Sequence, residues 1–224
     1  MTQPVRNILR DLDNIRENLL AFSDDVWLAI DHNDTAALEA GVVFKKKLNT
    51  QLDAFGSLST EIARLVQEYT KVQTEGEAST AIEIGSTPAE NTRIIKDLDR
   101  NDKHTLTEDF TYKRPCGFVL EGTGYKDVST WSRVYELVMR HLAARAPAVF
   151  KSLADHPATV TKRGNRRFTA KRDELRKPLA LPHGLYAETN LSANDLCESI
   201  RTLLPLFSVS LDACTLYLRQ DRDA

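Results

Sequence analysis

Residues 5–30, VRNILRDLDNIRENLLAFSDDVWLAI, decide how the first third of the chain folds. The apolar side chains Val5, Ile8, Leu9, Leu12, Ile15, Leu19, Leu20, Phe22, Val26, Trp27 and Ile30 recur at steps of three and four, the period of one face of an amphipathic helix. Asp31, His32, Asn33 and Asp34 interrupt it. Asp34 suits an N-cap, and Leu38, Val42, Leu48, Leu52, Phe55, Leu58, Ile62, Leu65, Val66 and Tyr69 resume the period as a second, longer helix with Gly41 and Gly56 as weak points. The two make a helical hairpin. A hairpin alone exposes too much apolar surface, so it is expected to pack on a second copy, on the rest of the chain or on a partner, a homodimer being the simplest case.

Beyond the hairpin, residues 73–91 are dominated by Glu, Gly, Ser and Thr and read as a linker. The expected organisation is therefore a helical oligomerisation domain over 1–72, a linker over 73–91 and a second domain over 92–224. In that second domain Phe110, Tyr112 and Gly117 to Leu120 read as strand, and Gly122-Thr123-Gly124 followed by Tyr125 to Val128 completes a β-hairpin. Ser129 or Thr130 caps a helix over 131–145, and Pro147 opens a short helix carrying Phe150 and Leu153. After a basic loop at 161–168, Asp173-Glu174-Leu175 forms a helical turn and Leu185 to Ala187 a strand. A polar turn leads into a helix over 193–207, and Cys214 to Leu218 closes as strand. The class is α+β, with an all-helical first domain and a mixed second one.

The 224 residues suffice to bury a core without disulfides or metal. No apolar run approaches a membrane span and no leader-like segment opens the chain, so a cytoplasmic location is expected, nucleoid-associated if the source is bacterial. Cys116, Cys197 and Cys214 are few, odd in number and far apart, which argues for reduced thiols and against a structural zinc site. The net charge of −2 conceals a split: 1–91 hold 8 Lys and Arg against 15 Asp and Glu, whereas 92–224 hold 22 against 17. Within 145–178 there are 10 basic and 3 acidic residues, the balance expected of a surface that meets an acidic partner.

The common nucleotide-binding and hydrolase signatures are absent, and His32, His104, His141, His156 and His183 are dispersed. No cofactor and no enzymatic activity are expected. Asp97, Asp99, Asp102, Glu108 and Asp109 form an acidic cluster that suits a metal-dependent nuclease on paper, but the strand-borne lysine of such sites is missing, and capping and solvated-face roles are the better reading. The positive feature is the loop Lys162-Arg163-Gly164-Asn165-Arg166-Arg167. Its glycine lets backbone approach phosphate, and guanidinium forks bind phosphate oxygens or a guanine edge. The turn Thr189-Asn190-Leu191-Ser192-Ala193-Asn194 either caps the following helix or offers amides to adenine.

Phe150, Arg163 to Phe168, Asp173-Glu174-Leu175, Lys177-Pro178, Gly184, Tyr186 and Thr189-Asn190 with the helix after them make residues 132–212 resemble the DNA-binding domain of the SeqA family, which recognises hemimethylated GATC sites. The resemblance implies that Arg163, Arg166 and Arg167, with Lys162 and Asn165 beside them, contact DNA backbone and base. It also implies that Thr189 and Asn190 enter the major groove; Ser192 and Asn194, in the same polar turn, are further candidate DNA contacts. The family continues its turn with a second Asn and Gly-Arg-Lys, where this chain has Ser192, Asn194 and Asp195, a departure that bears on the precise methyl-GATC readout and not on DNA binding. The expected function is duplex DNA binding that senses methylation or another modification. The alternative is a protein-binding adaptor or regulatory subunit of a multi-component defence or restriction system.

Overall fold

The computed structural model describes residues 2–71, 87–161 and 164–219. The chain divides into two compact units, Met1–Glu77 and Ala78–Ala224.

The first unit is a helical hairpin of α1 (Thr2–Ala29) and α2 (Thr35–Thr70). The Asp34 carboxylate accepts the Ala36 and Ala37 amides at 2.8 and 3.2 Å, satisfying two of the donors that a helix start leaves open. The expected weak point at Gly41 is a contact point instead. A Cβ there would lie 2.3 Å from Ile30 Cδ1, so the missing side chain makes room for the chain entering the turn. Ser23 Oγ donates to Asn49 Oδ1 at 3.3 Å, and Lys45 Nζ donates to the Ser23 carbonyl, tying the helices together.

The second unit opens with α3 (Pro88–Leu98), which starts inside the expected linker. Residues 73–86 of that linker lie outside the described residues. Thr87 caps α3 by accepting the Glu90 amide at 3.3 Å, with Pro88 in the first turn. A four-stranded antiparallel sheet follows, in the order β1-β7-β2-β3: β1 (Lys103–His104), β2 (Pro115–Leu120), β3 (Thr123–Lys126) and β7 (Cys214–Leu218). β2 and β3 pair Leu120 with Thr123 across the two-residue turn Glu121-Gly122. Both turn residues have positive φ, 49° and 75°, as the tightest hairpins require.

The sheet is covered on both faces. Phe118, Leu120, Cys214 and Leu216 are buried in the main core with α4 (Trp131–Arg145), while Tyr217 turns to Ile94 and Leu98 of α3. Alternation of side chains along β7 makes both contacts possible. Gly117 and Gly124 allow the close approach of α3: a Cβ at Gly117 would lie 2.5 Å from Leu98 Cδ2 and 2.6 Å from the Tyr125 carbonyl oxygen, and one at Gly124 would lie 2.8 Å from Ile94 Cγ2. Asn91 of α3 donates to the Gly122 carbonyl at 2.7 Å and accepts the Gly124 amide at 2.8 Å, and Tyr217 donates its hydroxyl to Asp99 at 2.6 Å.

Phe110 and Tyr112 do not form the expected strand. Asp109 accepts both the Thr111 amide and hydroxyl, and Asn194 accepts the Phe110 amide, so these groups bond to side chains rather than to a neighbouring strand. Phe110 is fully buried against Trp131, with ring centres 4.6 Å apart, and Tyr112 has φ 59°. Thr130 caps α4 by accepting the Arg133 amide at 3.2 Å. On this helix Glu136 is buried between Arg133 and Arg140, at 2.8 and 2.9 Å.

After α5 (Pro147–Lys151), two short 3-10 turns lead to the basic loop and to a second, three-stranded antiparallel sheet in the order β4-β6-β5. Its strands are β4 (Phe168–Thr169), β5 (Pro178–Ala180) and β6 (Tyr186–Glu188). The last helix, α6 (Ala193–Leu203), gives way to a 3-10 turn over Leu204–Phe207, four residues before the expected end. Pro205 supplies no amide to continue the α-helical pattern.

Candidate nucleic-acid interface

The described residues at the two ends of the basic loop are tied together. Thr161 and Asn165 close it, with the Thr161 amide donating to the Asn165 carbonyl at 2.8 Å, the Gly164 amide donating to the Thr161 carbonyl at 2.8 Å and the Asn165 amide donating to Thr161 Oγ1 at 3.1 Å. Gly164 has φ 79°, and nothing within 4 Å of an added Cβ crowds it, so backbone conformation rather than packing selects glycine. Val160 and Arg166 bridge at the base. Lys162 and Arg163 lie outside the described residues.

Asn165 and Arg166 are exposed. Arg166 Nη1 approaches the Ala154 carbonyl at 3.4 Å and Asp155 at 3.7 Å, loose contacts at an open surface that a phosphate would outcompete. Arg167 turns inward. Its Nη1 is buried with no hydrogen-bond partner among the described residues, and so is the hydroxyl of Tyr135 on α4. Burial pushes the Tyr135 phenol far above its ordinary pKa, the Arg167 charge opposing that shift and Glu188 adding to it. A buried guanidinium nitrogen without an acceptor costs about 1–3 kcal/mol. Arg167 borders an open cleft of about 460 Å³, shared with Asn165 and Thr161 on one side and Asp195 and Glu198 of α6 on the other.

The base of this loop and the Thr-Asn turn are joined directly. β4 pairs with β6, and the Glu188 amide donates to the Arg167 carbonyl at 3.0 Å. Glu188 organises the junction: one carboxylate oxygen accepts the Arg176 amide at 2.8 Å, the other the Lys177 amide at 3.0 Å and the Asn190 amide at 2.7 Å. The sequence reading passed over this residue, although a Glu directly before Thr-Asn is the available signal for such a turn. Exposed Lys171, Arg172 and Arg176 extend the basic character of the same segment.

The turn itself splits. Asn190 is half-buried and stands beside the loop base. Thr189, Ser192 and Asn194, expected as groove contacts, each bond within the fold, the first two buried and Asn194 exposed. Thr189 is buried and donates to the Lys177 carbonyl at 2.9 Å. Ser192 is buried as the N-cap of α6, accepting the Asp195 amide at 3.3 Å. Asn194 donates to Asp109 at 2.8 Å and to Thr111 at 3.1 Å while accepting from Phe110. Short polar side chains before a helix serve capping and groove contact equally well, so composition does not separate the two uses.

The acidic cluster is dispersed among separate partners. Asp99 accepts from Tyr217 and pairs with Lys103 at 2.9 Å, Glu108 contacts His104 Nδ1 and the Thr105 amide at 2.7 Å each, and Asp109 is engaged by Thr111 and Asn194. Among the described residues no three His, Cys, Asp or Glu side chains gather as a metal site. A polar chain absent from the sequence reading joins β3, the hairpin turn and α4. The Tyr125 hydroxyl lies 2.8 Å from His141 Nδ1, His141 Nε2 lies 3.1 Å from Glu121, and Arg145 donates to the same carboxylate at 2.5 Å. Among the described residues no helix is long and apolar enough to cross a membrane. No protein-family model, curated protein or solved structure matches the chain.

Proposed function

We propose that the chain is a non-enzymatic duplex DNA-binding protein whose second unit meets DNA through the loop at 161–168 and the adjoining turn at 188–190. The observation that carries this reading is the run of exposed basic and amide side chains, Asn165 and Arg166 beside Lys171, Arg172 and Arg176, on one segment. Arg166, Lys171, Arg172 and Arg176 offer four contacts to phosphates along a backbone. Affinity then comes mainly from phosphates and is strongly salt-dependent, while Asn165 and Asn190 supply what selectivity there is among sequences or methylation states.

The test is a titration of unmethylated, hemimethylated and fully methylated GATC duplexes at two salt concentrations. Four phosphate contacts give a slope of log K against log salt of about −3 to −4. Absence of salt-dependent duplex binding at low ionic strength overturns the proposal. The acidic wall formed by Asp195 and Glu198 favours a second reading, in which the cleft receives a protein segment carrying both charges and the chain is an adaptor. Capture of one stoichiometric protein partner, with no nucleic acid retained, supports that reading instead.

A further inference from the structure

We propose that one face of the α1–α2 hairpin is the interface of a homodimer, closed as a four-helix bundle by a second copy of this chain. Every residue involved lies in the first unit, so the inference is independent of the DNA-binding reading.

Buried positions at seven-residue steps, Leu9, Arg16 and Ser23 on α1 and Leu52 and Ser59 on α2, mark one edge of the hairpin's own seam, with Asn14, Glu17 and Ala21 of α1 buried further round the helix. Ser23 and Lys45 bond across it, and a Cβ at Gly56 would lie 3.3 Å from Arg16 Nε. In each helix the residue just before a seam position is exposed: Ile8, Ile15 and Phe22 are 53%, 48% and 43% exposed, and Leu58 is 58% exposed. These side chains belong to stripes with strict three-four spacing. On α1 the stripe is Val5, Ile8, Leu12, Ile15, Leu19, Phe22 and Val26. On α2 it is Phe44, Leu48, Gln51, Phe55, Leu58, Ile62, Leu65 and Tyr69. No member is charged, and Gln51 alone is an amide.

Both stripes lie on the same side of the hairpin. One residue back along an α-helix is a rotation of about 100°. Applied in the same sense to two antiparallel helices, that rotation carries their stripes to a common face. The result is two parallel seams of heptad spacing next to the internal contact, an arrangement that represents half of a four-helix bundle.

The occupant follows from spacing and area. Knobs-into-holes packing needs a partner with matching heptads, and a second copy presents an identical antiparallel pair. A two-fold axis through the face buries both copies' stripes at once and leaves none open, whereas a single foreign helix fills only the groove between them. The 28 residues of α1 span about 42 Å, and two helices side by side are roughly 20 Å wide. That face is about 800 Å² per copy, the size typical of a stable complex.

Light scattering or sedimentation of the full chain at micromolar concentration is expected to give twice the 25.2 kDa chain mass. Ile15→Glu combined with Leu58→Glu alters side chains that are exposed in the single chain. It is expected to leave helix content unchanged and to raise the dimer dissociation constant about 100-fold or more. The unfolding midpoint of the unaltered protein rises with protein concentration if the dimer is the folded species, a readout that stands even if the double variant fails to fold. A monomer with a concentration-independent midpoint overturns the proposal, whether the face is covered by the chain's other unit or by a different protein. So does a folded double variant that dimerises as tightly as the original.

Discussion

Asn194 and Phe110 stand 84 residues apart in sequence, yet Asn194 Oδ1 accepts the Phe110 amide at 2.8 Å. The same side chain donates to Asp109 and Thr111, so one amide at the start of α6 holds the segment leading into the first sheet. Asn194→Ala leaves the Phe110 amide without its acceptor and is expected to cost about 1–3 kcal/mol of stability. Denaturant unfolding measures the loss. The salt slope of duplex binding is expected to stay unchanged, which separates a fold-supporting role from contact with DNA.

Asp109 links this clamp to pH. The Thr111 hydroxyl, then the Asn194 amide, then the Thr111 N–H hold its carboxyl down at about 2. A depressed folded-state pKa contributes stability that is present above the unfolded value, near 4, and is lost as pH falls through the folded one. The stability gap between the unaltered protein and Asp109→Asn is therefore expected to be widest above pH 4 and to close toward pH 2. A gap that does not vary with pH across this range sinks the assignment.

Arg166→Ala together with Arg167→Ala is expected to weaken binding to all duplexes alike and to reduce the salt slope by about 1, the share of Arg166. Asn190→Ala is expected to narrow the preference among duplexes by about 1–3 kcal/mol while leaving the slope in place. Anisotropy titrations at several salt concentrations read both effects. Identical effects from the two variants contradict the division of roles.

Glu136 lies between two arginines with its side chain 9% exposed. Removing one partner from a buried ionic group leaves charge uncompensated, so Glu136→Ala is expected to destabilise by about 3–5 kcal/mol. Calorimetry checks this, and a cost below about 1 kcal/mol indicates that the site behaves like a surface pair.

Gly117→Ala places a methyl group against the Tyr125 carbonyl and Leu98. Neither the strand backbone nor the packed helix can yield freely, so a loss of about 1–3 kcal/mol is expected. Unfolding of the variant measures it, and an unchanged midpoint shows that α3 is not held against the sheet at this point.

Long periodic segments were legible in the chain, and so were short apolar runs such as 117–120 and 214–218, whereas α3 and the true course of the Phe110 segment were not. The period of α1 and α2 runs for many turns, and Asp34 punctuates it clearly. α3 was missed because it has only Ile94, Ile95 and Leu98 to bury and follows a polar stretch; it gains its stability from the sheet it covers. Phe110 and Tyr112 suggested a strand by alternation, but the partners that redirect this backbone, Asp109 and Asn194, are distant from each other in sequence. In the candidate interface, exposed Arg166 and Asn165 were readable from composition. The inward turn of Arg167 was not, because it depends on the pairing of β4 with β6.

β7 sits between β1 and β2, so the sheet is completed by a stretch synthesised after all of its neighbours. Before residues 214–218 emerge from the ribosome, β1 has no partner and β2 presents a bare edge. The hydroxyl that anchors Asp99 is also still missing. A transcript truncated ahead of Cys214 would yield a polypeptide with an open strand edge, the kind of surface on which aggregation begins and which quality-control machinery removes. Translation errors that shorten the chain are thus expected to cost the whole second unit rather than its last few residues.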